Sequence, residues 1–184
     1  MRLEPLDHKA VLEFWFEETD PKKWWAKDSD FDRLIRQRFL DVHRRAIRCE
    51  LYPWRGTPRG RLAEIIVLDQ FSRNIFRDRP EAFANDATAL ALAQTALDCG
   101  ADKTLSASEK SFLYMPFMHS ESLQIHEIAM QLYAQEGLEY NFEFEKKHKT
   151  VIERFGRYPH RNEILSREST PEEIEYLKQP GSGF

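Results

Sequence analysis

Apolar residues recur at helical spacing through almost the whole chain, and no segment alternates as a strand would. Ala10, Val11, Phe14 and Trp15 share a face of a first helix predicted from Leu6 to Phe16, with Asp7 near its start and Asp20-Pro21 beyond its end. Trp24 and Trp25 are adjacent, so they cannot both face one side of a regular element. Residues 22–27 therefore read as a loop that tucks at least one indole under a helix. Asp28, Ser29 and Asp30 offer N-caps for a long second helix, where Phe31, Leu34, Ile35, Phe39, Val42 and Ala46 keep helical spacing and Arg33, Arg36, Arg44 and Arg48 take the other face. Pro53-Trp54-Arg55-Gly56 breaks it. Thr57-Pro58 is a cap followed by proline at the first helical position of a third helix, which Asp78-Arg79-Pro80 ends.

The same signals continue downstream. Glu81 to Cys99 is an Ala-rich fourth helix closed by Gly100 as a left-handed cap. Ser106 and Glu109 form a capping-box pattern for a fifth, which Pro116 kinks or ends. Ser120 caps a sixth that runs to Glu136 before Gly137, and Glu139 to Phe155 is a seventh before Gly156. A basic loop from Arg157 to Asn162 follows, then a short last helix opened by Ser169-Thr170-Pro171 and a flexible Pro180-Gly181-Ser182-Gly183 tail. The prediction is an all-α fold of seven or eight helices. Its core should hold Phe14, Trp15, Phe31, Leu34, Ile35, Leu62, Ile65, Ile66, Phe112, Ile152 and Phe155.

Composition narrows the class. The 184 residues suffice for one sizeable core and suggest a single domain, with 7 Gly and many helix formers. A net charge of -4 gives no overall field toward nucleic acid or an anionic membrane, so neither is expected as a partner. The Met1-Arg2-Leu3-Glu4-Pro5 start reaches charged Asp7, His8 and Lys9 before any apolar run, so a cytoplasmic protein is expected, without signal peptide or membrane span. Cys49 and Cys99 read as reduced, structural thiols.

The third helix carries the candidate chemistry. Its apolar face through Leu62, Ile65, Ile66 and Val67 stops abruptly and becomes a strip of Asp69, Gln70, Arg73, Asn74 and Arg77. Asp69 and Arg73 are four residues apart, the spacing of an ordinary exposed helix pair worth roughly 0.2–0.5 kcal/mol. Alternatively Arg73 keeps its planar donor fork free for a carboxylate or phosphate, with Gln70 and Asn74 completing the site. His119-Ser120-Glu121 falls at an expected helix start, where an anion is favoured. There His119 serves as acid or base, or merely caps and packs. His119 and His126 lie seven apart, but no HExxH spacing accompanies them, so neither metal nor other cofactor is expected. From Lys146 to Arg167 basic residues are in local excess. Arg157, His160, Arg161 and Asn162 surround a Tyr-Pro turn, where polar groups either tie helices together or hold a ligand.

LDQFSRNIFR from Leu68, FLYMPFMHSE from Phe112 and RFGRYPHRN from Arg154 occur in this order, with FWF near the start, WW before the second helix and STPEE near the end. Together they resemble the bacterial DUF924 family, a domain of unknown function with a TPR-like helical fold, along almost the whole chain. The resemblance implies an α-α superhelical arrangement and brings no established activity. Ser72 stands where that family commonly has Pro, and Ser166 where it commonly has Gly.

Three functions remain open on the sequence. One is a binding module for a small anionic ligand or an acidic peptide end, using Arg73, Arg157 and Arg161. A second is an enzyme, hydrolytic in class, with His119 or His160 as acid-base and Asp69 or Glu121 orienting it. The third is a structural or interaction role with every group internally paired. An enclosed cavity with unpaired arginines favours the first reading, a histidine within hydrogen-bond reach of a carboxylate and facing that cavity the second, and a shallow surface with every pair satisfied the third. Nothing in the sequence sets the oligomeric state.

Overall fold

The first two helices are started by the caps the sequence places there. A computed structural model describes residues 7–183. Asp7 accepts a hydrogen bond from the Lys9 amide and opens α1 (His8–Glu13), which continues into a π-helical turn, Phe14–Glu18. The expected start at Leu6 lies outside the described residues. Thr19 closes the turn by donating its hydroxyl to the Phe14 carbonyl at 2.7 Å. The segment read as a loop is a 3-10 turn, Pro21–Trp25, because Asp20 caps it and Pro21 presets its first residue. Trp24 is tucked in, its indole N–H donating to the Trp15 carbonyl at 3.1 Å, while Trp25 is half exposed and stacks on Phe112.

Asp28 caps α2 (Ser29–Ile47) through the amides of Asp30 and Phe31. Its buried stripe is Phe31, Ile35, Phe39, Val42 and Ala46, and Leu34 is 40% exposed, contrary to expectation. The i, i+4 row sets the buried face, and Leu34 lies at its flank.

Thr57 accepts from the Gly60 amide and starts α3 (Pro58–Ile66). A β-carbon on Gly60 would stand 2.0 Å from the Trp54 carbonyl oxygen, so only glycine lets the preceding turn pack there. The rod continues through a second π turn, Val67–Phe71, into α4 (Ser72–Ile75). It stops at Phe76, short of the expected Asp78 break.

A 3-10 turn at Pro80–Ala82 delays α5 to Asp86–Asp98, and Gly100 closes it at φ 66. The predicted capping box opens α6 (Ala107–Met118), which runs two residues past Pro116 and ends at His119. Ser122, not Ser120, is the N-cap of α7 (Leu123–Tyr133), which ends before the expected Glu136. α8 (Glu139–Phe155) matches its expected bounds, and Gly156 terminates it at φ 68. A 3-10 turn, Pro159–Arg161, and α9 (Pro171–Leu177) with a Thr170–Glu173 capping box complete the order. In the last segment Ser182 is buried and donates to the Leu177 carbonyl at 3.0 Å.

The fold is all-α, with no strand among the described residues. α3 packs against α1, α5 and α6, while α2 covers the second π turn and α4. Beyond it, α5, α6 and α7 each pack on the next helix in the chain. The main core centres on Trp15, Phe14, Phe31, Phe71 and Phe112, and a satellite cluster holds Val151, Ile152 and Tyr158. Phe155, expected in the core, is only half-buried and packs on that satellite. No described helix is long and apolar enough to cross a membrane.

Candidate functional site

The second π turn sends a polar side chain into the interior. A π turn adds a residue to the helical repeat, which re-aims the side chains it carries, and such turns are frequent at functional sites. Here Asp69 is fully buried and Gln70 nearly so. An isolated buried carboxylate is costly, so its partners decide whether the fold tolerates it. Asp69 Oδ1 lies 2.8 Å from His119 Nδ1 and 3.2 Å from Arg73 Nη1, and Oδ2 accepts from Gln70 Nε2 at 2.6 Å. Arg73 Nη1 also donates to the Asp69 carbonyl at 2.8 Å.

These contacts fix the protonation pattern. Burial alone would raise the Asp69 carboxyl, but Arg73 and His119 outweigh it and hold it well below the usual carboxylate range. Burial pushes His119 below the ordinary imidazole value, Arg73 adds to that, and Asp69 opposes. Near neutrality Asp69 is ionised and can only accept, so a neutral His119 carries its proton on Nδ1 and its lone pair on Nε2. The His119 side chain is 14% exposed, and its Nε2 has no hydrogen-bond partner among the described residues yet is not one of the buried atoms. One imidazole nitrogen is anchored, and the other is unpartnered and not fully buried.

A second carboxylate completes the cluster. Asp86, the first residue of α5, accepts from Arg73 Nη1 and Nη2, each at 3.0 Å, and from Arg161 Nη1 at 3.2 Å. Arg161 is buried between the rings of Tyr158 and Phe83, its guanidinium 4.6 and 4.7 Å from their centroids. Burial, and then Arg73, depress its basicity. Two guanidiniums thus face two carboxylates around a neutral imidazole.

The backbone of this site is held by the end of α6. The last carbonyls of a helix lack intrahelical partners, and here side chains from elsewhere supply donors. Tyr158 Oη donates to Met118 O at 2.5 Å, Arg161 Nη2 to His119 O at 3.1 Å, and His126 Nε2 to Ser120 O at 2.9 Å. His126 is in turn fixed by Glu145 at 2.6 Å from its Nδ1, both fully buried.

Of the residues singled out in the sequence, Asp69, Gln70, Arg73, His119 and Arg161 converge, and the others do not. Asn74 donates to Asp32 on α2 at 2.8 Å, beside the Arg77–Asp32 pair. Arg157 forks onto Glu173 at 2.6 and 2.7 Å, tying the loop to α9. Glu121 accepts from Arg167 and from the Tyr158 amide, so it neither caps a helix nor orients His119. Asn162 is buried between Arg167 and Ser169. His160 sits against Tyr158 with its pKa pushed down to about 3 by burial and then by Arg161.

The helix start expected at His119 is a helix end. His119 is the C-cap of α6, where the dipole disfavours an anion, so any attraction there comes from the arginines. His119 and His126 accordingly share no helix face, and no group of three potential metal ligands occurs among the described residues. Sequence reasoning missed Asp86, Phe83, Tyr158 and the His126–Glu145 pair. Asp86 shows only as a polar first residue of an Ala-rich helix, and 19 positions separate His126 from Glu145. Two hollows on the described surface lie away from these residues, one beside Tyr133 and Phe142, the other beside Arg45 and Trp54.

Residues 11–181 match the family described as bacterial protein of unknown function, DUF924. The chain is also similar to the solved structure of a protein of unknown function, ATU0120, from Agrobacterium tumefaciens, with 37% identity, a TM-score of 0.85, and coverage of 93% of this chain and 96% of that one. No curated protein matches it. With a match over this span, the chain belongs to the DUF924 family.

Proposed function

We propose that the protein is an acid-base enzyme, hydrolytic in class, acting on a small anionic substrate held beside His119. The observation that carries this reading is the anchored imidazole: Nδ1 is fixed on Asp69 at 2.8 Å while Nε2 is left without a hydrogen-bond partner on a side chain 14% exposed. In that role Nε2 takes a proton from an attacking water, and the buried Asp69 stabilises the imidazolium that forms. Arg73, with a side chain 20% exposed, offsets the substrate's charge. The depressed basicity of His119 keeps it in its accepting form at neutral pH.

Phosphate monoesters, carboxylate esters and amides are screened first by thermal shift and then for turnover. His119→Gln should cut turnover by about 10²–10⁴-fold while the melting temperature and ligand shift persist. A variant as active as the wild type would sink the enzyme reading. Binding without turnover of any compound would leave a binding module. Neither binding nor turnover would leave an internal polar tie.

A further inference from the structure

Asp86 is gripped by both arginines of the site. Its two oxygens receive three hydrogen bonds from two guanidiniums, two from Arg73 at 3.0 Å and one from Arg161 at 3.2 Å. That is how a pair of arginines grips a carboxylate or phosphoryl group. Asp86 is also the replaceable member of the cluster: its side chain is 19% exposed, against 1% for Asp69, which is locked by three side chains. Withdrawn from the arginines, it would still sit in the first turn of a 13-residue helix, where negative charge is favoured, and Asn85 makes no competing side-chain cap there.

Arg161 supplies an independent sign that the grip is incomplete. Its side chain is 7% exposed, yet Nε is buried with no hydrogen-bond partner. Native interiors seldom leave such a donor unspent, and a ligand with more acceptor atoms than one carboxylate could use it.

We propose that Asp86 is an internal stand-in for the substrate's oxyanion, a carboxylate or phosphoryl group, and that the ligand binds Arg73 and Arg161 by displacing it. This rests on the reading of the His119 site above and adds to it a self-occupied anion subsite. Asp86 then holds two like charges together in the empty protein and limits binding to groups that compete with it.

The test is Asp86→Asn in the full chain, titrated with inorganic phosphate and with acetate against sodium chloride at equal ionic strength. Without its carboxylate the variant should melt below the wild type in chloride, and phosphate or acetate should restore it beyond the chloride response. Its affinity for the better of the two anions should exceed the wild type's by about tenfold or more. Adding Arg73→Gln should abolish the restoration. If Asp86→Asn does not fold in chloride, folding in phosphate or acetate supports the proposal, and failure in all three overturns it. It is equally overturned if neither anion does more than chloride, which would make Asp86 a structural tie. Turnover by His119→Gln is a separate readout that does not involve Asp86, so the two proposals can fail independently.

Discussion

Whether a polar residue named by the sequence belongs to the site is decided by its partner, which local spacing does not reveal. Asp69 and Arg73 were legible as a pair because both lie on one helix at an i, i+4 spacing. Their burial was not, since it depends on a π turn and on His119 arriving from the end of α6. Arg157 and Arg161 look alike in sequence, yet one forks onto Glu173 and the other reaches Asp86. The Arg157 bond is the main reason the Glu173 carboxyl is held down to about 2. Arg157→Ala should therefore loosen α9 and lower the melting temperature while leaving anion responses at His119 unchanged. A lost anion response with stability intact would return Arg157 to the site. Ser166, where the family resemblance leads one to expect Gly, has φ 53, which explains that preference in terms of backbone geometry.

At the scale of elements, caps and periodicity carried most of the reading. Asp28, Thr57, Ser106 and Thr170 accept amide bonds at the helix starts they mark. Ser120 misled because the helix starts two residues later, with Ser122 in the N-cap position and no side-chain capping bond to mark it. That displacement turned a supposed helix start at His119 into a helix end, and with it reversed the expected dipole. The two π turns and the 3-10 turns left no pattern to find, because each departs from the 3.6-residue period only over a few positions. The face assignment of α2 can be checked directly. Ile35, 0% exposed, replaced by Ala should cost about 2–5 kcal/mol, whereas Leu34→Ala, at 40% exposure, should cost about 0.5 kcal/mol or less. Equal shifts in the denaturant midpoint would contradict the stripe.

Across the whole molecule, burial keeps several histidines neutral. His43 is pushed down to about 4 by burial; it meets Ser72 through Nε2, while its Nδ1 is buried without a partner. His148 and His160 are pushed down to about 3, again chiefly by burial. In the unfolded chain each binds a proton below about pH 6.5, whereas the folded protein resists until much lower pH. Their contribution is thus fully present above about pH 6.5 and is lost as the pH falls toward the folded values. Each imidazole should remove roughly 1.4 kcal/mol per pH unit over that window. Urea midpoints at pH 7, 6 and 5 should fall steadily, and a flat series would show that these histidines are not held neutral. The fold class needed only the helical period, but the site needed distances between the second π turn, α4, α5, α6 and the turn before α9, which no single segment encodes.

The account stands most directly on the state of His119, and carbethoxylation of the native protein, mapped by mass spectrometry over a range of pH, reads that state without knowledge of a substrate. The reagent attacks an accessible neutral imidazole. His119, 14% exposed at its side chain, should react, and His126, 0% exposed, should stay inert until the protein unfolds. Because its basicity is depressed, His119 should remain reactive below the pH near 6.5 at which an ordinary imidazole is half protonated. A His119 as inert as His126, or one whose reactivity fades at or above that pH, would contradict the open, neutral, Asp69-anchored base on which the functional reading depends.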